Sequence, residues 1–193
     1  MKNKKPLKDI VNINSGYAFR GAILPSSTGL IRVIQTKDMN PREYLTSASG
    51  LTSVNVEVTK NSFFIKQGDV LLSSRGAGSH KAIYVDLNKD NIIASSSLYI
   101  IRVKNPNIVP QYLALYLNSS EGQNQLSQIT SGAYIQNITR SNLENMEIPI
   151  PPREEQQHLV SLSENFASQD KLLIRKSQIN QKIINDILKK ITR

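Results

Sequence analysis

The sequence contains no cysteine and no tryptophan, and only two histidines in 193 residues. Without cysteine there is no disulfide framework and no thiolate metal site, which excludes stapled secreted scaffolds and cysteine-ligated zinc modules. His80 and His158 alone are a poor basis for a zinc centre, so no metal site is expected. Long apolar runs are also missing. No stretch approaches the roughly 20 residues that span a bilayer. The opening MKNKKPLKDIVNI is basic but lacks the apolar core of a signal peptide. These absences lead to the expectation of a cytoplasmic protein.

Acidic residues are scarce as well. Fifteen Asp and Glu stand against 24 Lys and Arg, a formal net charge of +9 with a sequence pI near 9.8. Such an excess suits a polyanionic partner, most often nucleic acid, although it also serves solubility. Residues 1–151 carry 16 basic and 10 acidic side chains, and residues 152–193 carry 8 and 5. Neither part is a Lys/Arg-rich tail, so a folded basic surface is expected rather than a disordered arm.

The hydrophobic content, 39%, allows a core at this length without staples. From Leu7 to about Arg102 the β-branched and aromatic runs predict strands at Leu30–Gln35, Val54–Val58, Ser62–Ile65, Val70–Ser74, Ala82–Asp86 and Ile92–Val103. Tight turns are expected at Gln67-Gly68-Asp69 and Lys89-Asp90-Asn91. The spacing then becomes helical. Pro110 opens a helix to about 118, a second follows over Glu121–Ile129, and Ala133–Arg140 reads as a loop anchored by Ile135 and Ile138. A helical turn at Ser141–Asn145 and a strand at Met146–Ile150 complete the globular part.

Pro151 and Pro152 interrupt the regular structure, and no Gly or Pro follows them. Glu154 and Glu155 suit the start of a helix, and Lys189, Lys190 and Arg193 suit its end. The result is one helix of roughly forty residues, about 60 Å long. Its apolar residues, among them Leu159, Leu162, Phe166, Leu173, Ile183, Ile187 and Ile191, recur at three- and four-residue steps. The seam breaks at Lys176 and Asn180, so it is not a clean heptad. A helix of this kind needs a second helix against it; the alternative is a hairpin folded back near Gln169-Asp170. The expected architecture is α+β: a β-rich domain over 1–151, then a long spacer and dimerisation helix over 152–193 that pairs antiparallel, as a coiled coil, with a second copy.

No catalytic set emerges. Gly76-Ala77-Gly78-Ser79-His80-Lys81 lacks the Gly-Lys-Ser/Thr ending of a phosphate loop. Ser79 and His80 are adjacent and form no ready nucleophile–base pair. The carboxylates show no nuclease-like cluster, and no methyltransferase motif is evident. A binding role fits better. Arg75, Ser79, His80 and Lys81 lie in an inter-strand loop, where Arg and Lys suit guanine and Ser and His suit bases or phosphates; a solvated hairpin is the alternative. Tyr134, Gln136, Asn137, Thr139 and Arg140 form a second candidate loop, with Gln and Asn suited to adenine edges; a purely structural loop is the alternative there. Lys37, Asn40 and Arg42 form a third, weaker set.

Taken in order, several segments resemble the specificity subunit of type I restriction-modification systems. They are Pro6-Leu7-Lys8-Asp9-Ile10 with Ser15-Gly16-Tyr17-Ala18-Phe19; Gly68-Asp69-Val70-Leu71-Leu72-Ser73 with Arg75-Gly76; Tyr112 to Ser119; Gly132 to Ile138; and Leu143 with Ile148-Pro149-Ile150-Pro151-Pro152 and Glu155-Gln156. The resemblance implies a target-recognition domain that reads double-stranded DNA, joined to a spacer helix. It implies a half-length form, with one domain and one helix where family members carry two, so that a second copy supplies the other half of a split target. It also implies modification subunits, which methylate adenine, as direct partners, and restriction subunits as indirect ones. No cofactor is implied for this chain; S-adenosylmethionine, ATP and Mg belong to the family's partner subunits. The rival reading is an interaction or inhibitor protein that pairs through its helix without reading DNA.

Overall fold

A computed structural model describes residues 3–76, 79–132 and 136–191. The chain divides into two compact units, residues 1–157 and 158–193. In chain order the elements of the first unit are β1 (Lys4–Pro6), α1 (Leu7–Ile10), β2 (Val11–Ser15), β3 (Ile31–Ile34), β4 (Thr52–Val54), β5 (Val70–Ser73), β6 (Arg75–Gly76), β7 (Ala82–Tyr84), β8 (Ile92–Ala94), β9 (Leu98–Val103), α2 (Pro110–Asn118), α3 (Ser120–Gln128), β10 (Thr130–Ser131), β11 (Gln136–Ile138), α4 (Arg140–Asn145) and β12 (Glu147–Pro149). A last helix, α5 (Arg153–Ile191), begins in the first unit and supplies the whole of the described second unit. The α+β class and the long final helix agree with the sequence reading.

Two sheets enclose the core. One is antiparallel, in the order β2-β9-β5-β7; the other runs β4-β3-β8, with β3 and β8 parallel. Ile34, Leu71, Ile83, Ile92, Ala94, Leu98 and Ile100 form one cluster drawn from both sheets. β5 is buried along its whole length, Val70 to Ser73, because α2 covers its other side with β7. A strand covered on both faces reads as a continuous apolar run rather than an alternation, as VLL does.

Several expected strands are shorter or absent. Ile92–Val103 is two strands, since Ser95 and Ser97 turn the chain between the sheets, with the Leu98 N–H donating to the Ser95 carbonyl at 2.9 Å. Gly16 is needed at this crossing: a Cβ there would strike the carbonyls of Ala94 and Ser95. The run Val54–Val58 pairs only through Val54, and its Val56 and Val58 pack beside Val33 and Ile93 instead of extending the ladder. Ser62–Ile65 begins as a 3₁₀ turn over Asn61–Phe63, and Phe63 and Phe64 pack against Val33, Val54 and Ile93 without extending a strand. The turn at 67–69 forms as expected, with Gly68 at φ +94°, a conformation glycine adopts without penalty.

Asp69 in that turn is 1% exposed. Its carboxylate accepts from the Lys66 N–H at 2.7 Å and from Arg102 Nε and Nη2, both at 2.7 Å. The buried charge is thus paired in two-pronged geometry, the arrangement that makes such burial tolerable.

The proline-rich exit is held by side chains from α2 and α5. The Tyr112 hydroxyl donates to the Pro149 carbonyl at 2.8 Å. Gln156, 0% exposed, accepts from the Val109 N–H and donates to the carbonyls of Asn107 and Pro151, each at 2.9 Å. Its own N–H takes the Pro152 carbonyl at 3.1 Å, so Pro152 stands just before the helix rather than inside its first turn. From Arg153 to Ile191 the helix is continuous, without a hairpin at Gln169-Asp170. Thirty-nine residues extend about 58 Å. No helix among the described residues is long and apolar enough to cross a membrane.

Candidate nucleic-acid interface

The two main candidate loops, some sixty positions apart in sequence, meet in one small sheet. β11 lies between β10 and β6, antiparallel to both. Asn137 stands opposite Arg75, and Gln136 pairs through its backbone opposite Gly76. The segment 133–140, expected to be a loop, thus contains a strand. The cause is local. Ile138 is fully buried, its N–H donates to the Ser74 carbonyl at 2.9 Å, and its carbonyl accepts from the Tyr99 hydroxyl at 2.9 Å. One apolar anchor and two hydrogen bonds align the preceding residues with β6. Arg75 is left exposed and Asn137 half-buried beside it.

Arg140 completes a basic cluster. It opens α4 after the Thr139 cap, whose side chain accepts from the Asn142 N–H, and its Nε donates to Glu144 at 2.7 Å. Burial pushes the Tyr99 phenol up, while Arg140 and Arg75 each pull it down. Both guanidinium groups therefore act on the same buried ring. Of these two cations, Arg140 is ion-paired with Glu144.

The approach to β7, from His80 to Ala82, is held by amides from the α2–α3 junction. Asn118 donates to the Ala82 carbonyl at 2.8 Å and accepts from the Ala82 N–H at 2.9 Å, as a neighbouring strand would. Gln123 accepts from the His80 N–H at 3.2 Å and donates to the His80 carbonyl at 2.7 Å. The Ser73 hydroxyl accepts from the Lys81 N–H at 2.8 Å. Ser79 is exposed and Lys81 half-buried, and the Ser79 backbone lies close to Gly76 of β6.

His80 sits differently from its neighbours. It is 3% exposed, and its Nδ1 bonds the Ser73 carbonyl at 2.8 Å, which assigns the proton to Nδ1. Nε2 is buried with no hydrogen-bond partner among the described residues. Burial lowers the pKa from its ordinary value, opposed by the Ser73 bond. The imidazole is an inward post for the loop, off the exposed surface on which the sequence places it with Arg75.

Lys37 lies in a 3₁₀ turn over Thr36–Asp38. The Thr36 hydroxyl bonds Ser97 at 3.2 Å, and the Ser97 carbonyl accepts from the Ser74 N–H at 2.8 Å, which sets this turn beside the start of β6. Arg42 follows the Asn40 turn, in a segment whose Leu45 bonds Tyr84 and Asp86 along β7. Tyr134 and the expected anchor Ile135 fall outside the described residues. Sequence alone does not single out Asn118, Gln123 or Tyr99; the one signal it offers is the amide-rich, serine-capped junction at 118–123, where the Ser119 hydroxyl accepts from the Gly122 N–H. Among the described residues no group of three or more His, Cys, Asp or Glu side chains could hold a metal ion.

The model of the type I restriction modification DNA specificity domain matches residues 2–189. Among curated proteins, the chain is similar to the specificity subunit of type I restriction enzyme MjaVIII from Methanocaldococcus jannaschii, 24% identical over 149 residues, or 77% of this chain and 33% of that protein. It is similar to the HindI specificity subunit from Haemophilus influenzae, 29% identical over 120 residues, covering 61% and 25%. The chain thus spans about a quarter to a third of the length of these two relatives. Among solved structures, the S subunit of a type I restriction-modification system from M. genitalium has a TM-score of 0.60 at 17% identity, over 93% of this chain and 42% of that one. The HsdS subunit from Thermoanaerobacter tengcongensis gives 0.59 at 20% identity, over 91% and 39%. At these identities the likeness shows a shared fold.

Proposed function

Because the chain belongs to the family of type I restriction modification DNA specificity domains, we propose that it is a DNA-reading specificity component. The observation that carries this reading is the pairing of Arg75 with Asn137 across β6 and β11, which puts two separate polar loops on one edge. Arginine suits the guanine major-groove edge and asparagine the adenine edge, and a good bidentate contact discriminates by about 1–3 kcal/mol. Lys81, Lys37 and Arg140 suit phosphates, which position without specifying.

In this proposal two copies pair antiparallel through α5 and read the two halves of a split target. A two-fold pair presents one reading surface twice, so the half-sites are inverted copies separated by an unread gap. The pair directs adenine-methylating modification subunits, and through them restriction subunits, to that target. The chain contributes recognition without a catalytic centre of its own, and S-adenosylmethionine, ATP and Mg act in the partner subunits. The test is fluorescence anisotropy of labelled duplex DNA with the chain and its modification subunit, across a salt series. Affinity that falls steeply with salt, as counterion release requires, supports the reading; no binding, or binding flat in salt, overturns it.

A further inference from the structure

The pairing proposed above leaves its alignment open, and α5 carries a pattern that selects one. Leu159, Leu162, Phe166, Leu172, Leu173, Ile179, Ile183 and Ile187 are all at least 45% exposed on this helix. On a seven-residue repeat the seam positions are Leu159, Leu162, Phe166, Gln169, Leu173, Lys176, Asn180, Ile183, Ile187 and Lys190. The polar members therefore interrupt an otherwise apolar stripe at fixed places.

A parallel in-register pair would set Lys176 on Lys176 and Lys190 on Lys190 inside the seam. It would also bring together the acidic first turns, with Glu154 and Glu155, and the basic last turns, with Lys189 and Lys190. Like charges at such distances repel. The antiparallel arrangement instead sets each acidic start near a basic end.

We infer that two copies pair with the two-fold axis between Ile174 and Arg175, and that Gln169 and Asn180 select this register. With the axis there, Leu162 faces Ile187, Phe166 faces Ile183 and Gln169 faces Asn180, each pair occurring twice. Leu172 and Ile179, which flank the seam, face each other as well. Lys176 and Lys190 lie against Leu173 and Leu159, where their aliphatic stems cover apolar surface and their ammonium groups reach water. Sliding one helix by a heptad destroys the match in either direction. One slide sets Asn180 against Leu162, Gln169 against Leu173 and Phe166 against Lys176. The other sets Gln169 against Ile187, Asn180 against Lys176 and Phe166 against Lys190, so each slide leaves both amides without an amide partner. A buried amide without a partner is costly, so one polar layer in an apolar seam specifies alignment. The helix is thus its own antiparallel complement, which identifies a second copy of this chain as the occupant.

The inference rests on the pairing reading, and the experiment separates the two. The natural chain has no cysteine, so single-cysteine full-length variants report one position each. Phe166→Cys is mixed with Ile183→Cys, with Lys176→Cys or with Lys190→Cys and oxidised, and the mass of the uncrosslinked protein is measured in solution. The inferred register predicts a dimer in which 166–183 crosslinks form about tenfold or more faster than 166–176 or 166–190, the size expected when a shift strands a buried amide. A dimer that favours a shifted pair, or none, overturns the register and leaves the pairing intact. A monomer at all concentrations overturns both. Gln169→Leu with Asn180→Leu supplies a second check: it should stay dimeric and spread its crosslinks over several registers. Crosslinking still confined to 166–183 in that variant would remove the two amides from their selecting role.

Discussion

His80 shows how far a residue's type can mislead about its task. A histidine next to serine and lysine in a glycine-rich loop reads as a surface group, yet the ring is buried and its Nδ1 is committed to the Ser73 carbonyl. Burial at this position follows from the Gln123 amide gripping the backbone on both sides of the ring, a contact between residues 43 positions apart that no local pattern discloses. Arg75 and Asn137 were legible as polar residues in turn-rich stretches; their adjacency was not, because it depends on Ile138 and Tyr99 meeting across the fold. The His80 environment has a pH consequence. Its pKa in the folded chain lies below the ordinary 6.5. As pH falls through that value the unfolded chain takes up a proton that the folded ring resists, so stability declines on the acid side. Urea melts between pH 7.5 and 5 should show this decline, and a His80→Asn variant should show a smaller one. Equal slopes in the two proteins would mean the ring is not held neutral.

Elements were legible where one face or one period dominates. The helix after Pro152 and the run Val70–Ser73 are such cases, since neither depends on a distant partner for its identity. Ile92–Val103 reads as one strand because each half is apolar; only the two sheets it serves reveal the break at Ser95. The exit from domain to helix depends on Tyr112 and Gln156, and both are testable there. Burial, with the nearby Tyr116 phenol adding to it, pushes the Tyr112 phenol up to about 12. Because the folded pKa exceeds the unfolded 10.0, this group's contribution is fully present below pH 10 and is lost as pH rises through about 12. Tyr112→Phe should cost about 0.5–1.5 kcal/mol at neutral pH through the lost bond to Pro149. It should also lose less stability than the natural chain between pH 10 and 12, by chemical denaturation at each pH. Arg102→Ala should be more damaging, about 3–5 kcal/mol, because it strands the buried Asp69 carboxylate. A loss under 1 kcal/mol in the same assay would show that Asp69 finds other partners.

For the whole molecule, charge and the ordered set of motifs pointed to DNA recognition before any geometry, whereas the reading edge required the fold. In the proposed function, the β6–β11 pair reads the target on behalf of a paired molecule. The measurement that bears on it most directly is methylation-site sequencing of DNA from cells that carry the chain with its modification subunit, compared with Arg75→Ala, Asn137→Ala and Lys81→Ala versions. The expected methylated motif has two inverted half-sites with an invariant gap. Arg75→Ala and Asn137→Ala should relax or change the same position in both halves, at about 1–3 kcal/mol of discrimination. Lys81→Ala should lower methylation across sites without altering the motif. A motif identical in sequence and strength in Arg75→Ala and Asn137→Ala would contradict the claim, as would a natural motif that is contiguous or lacks inverted halves.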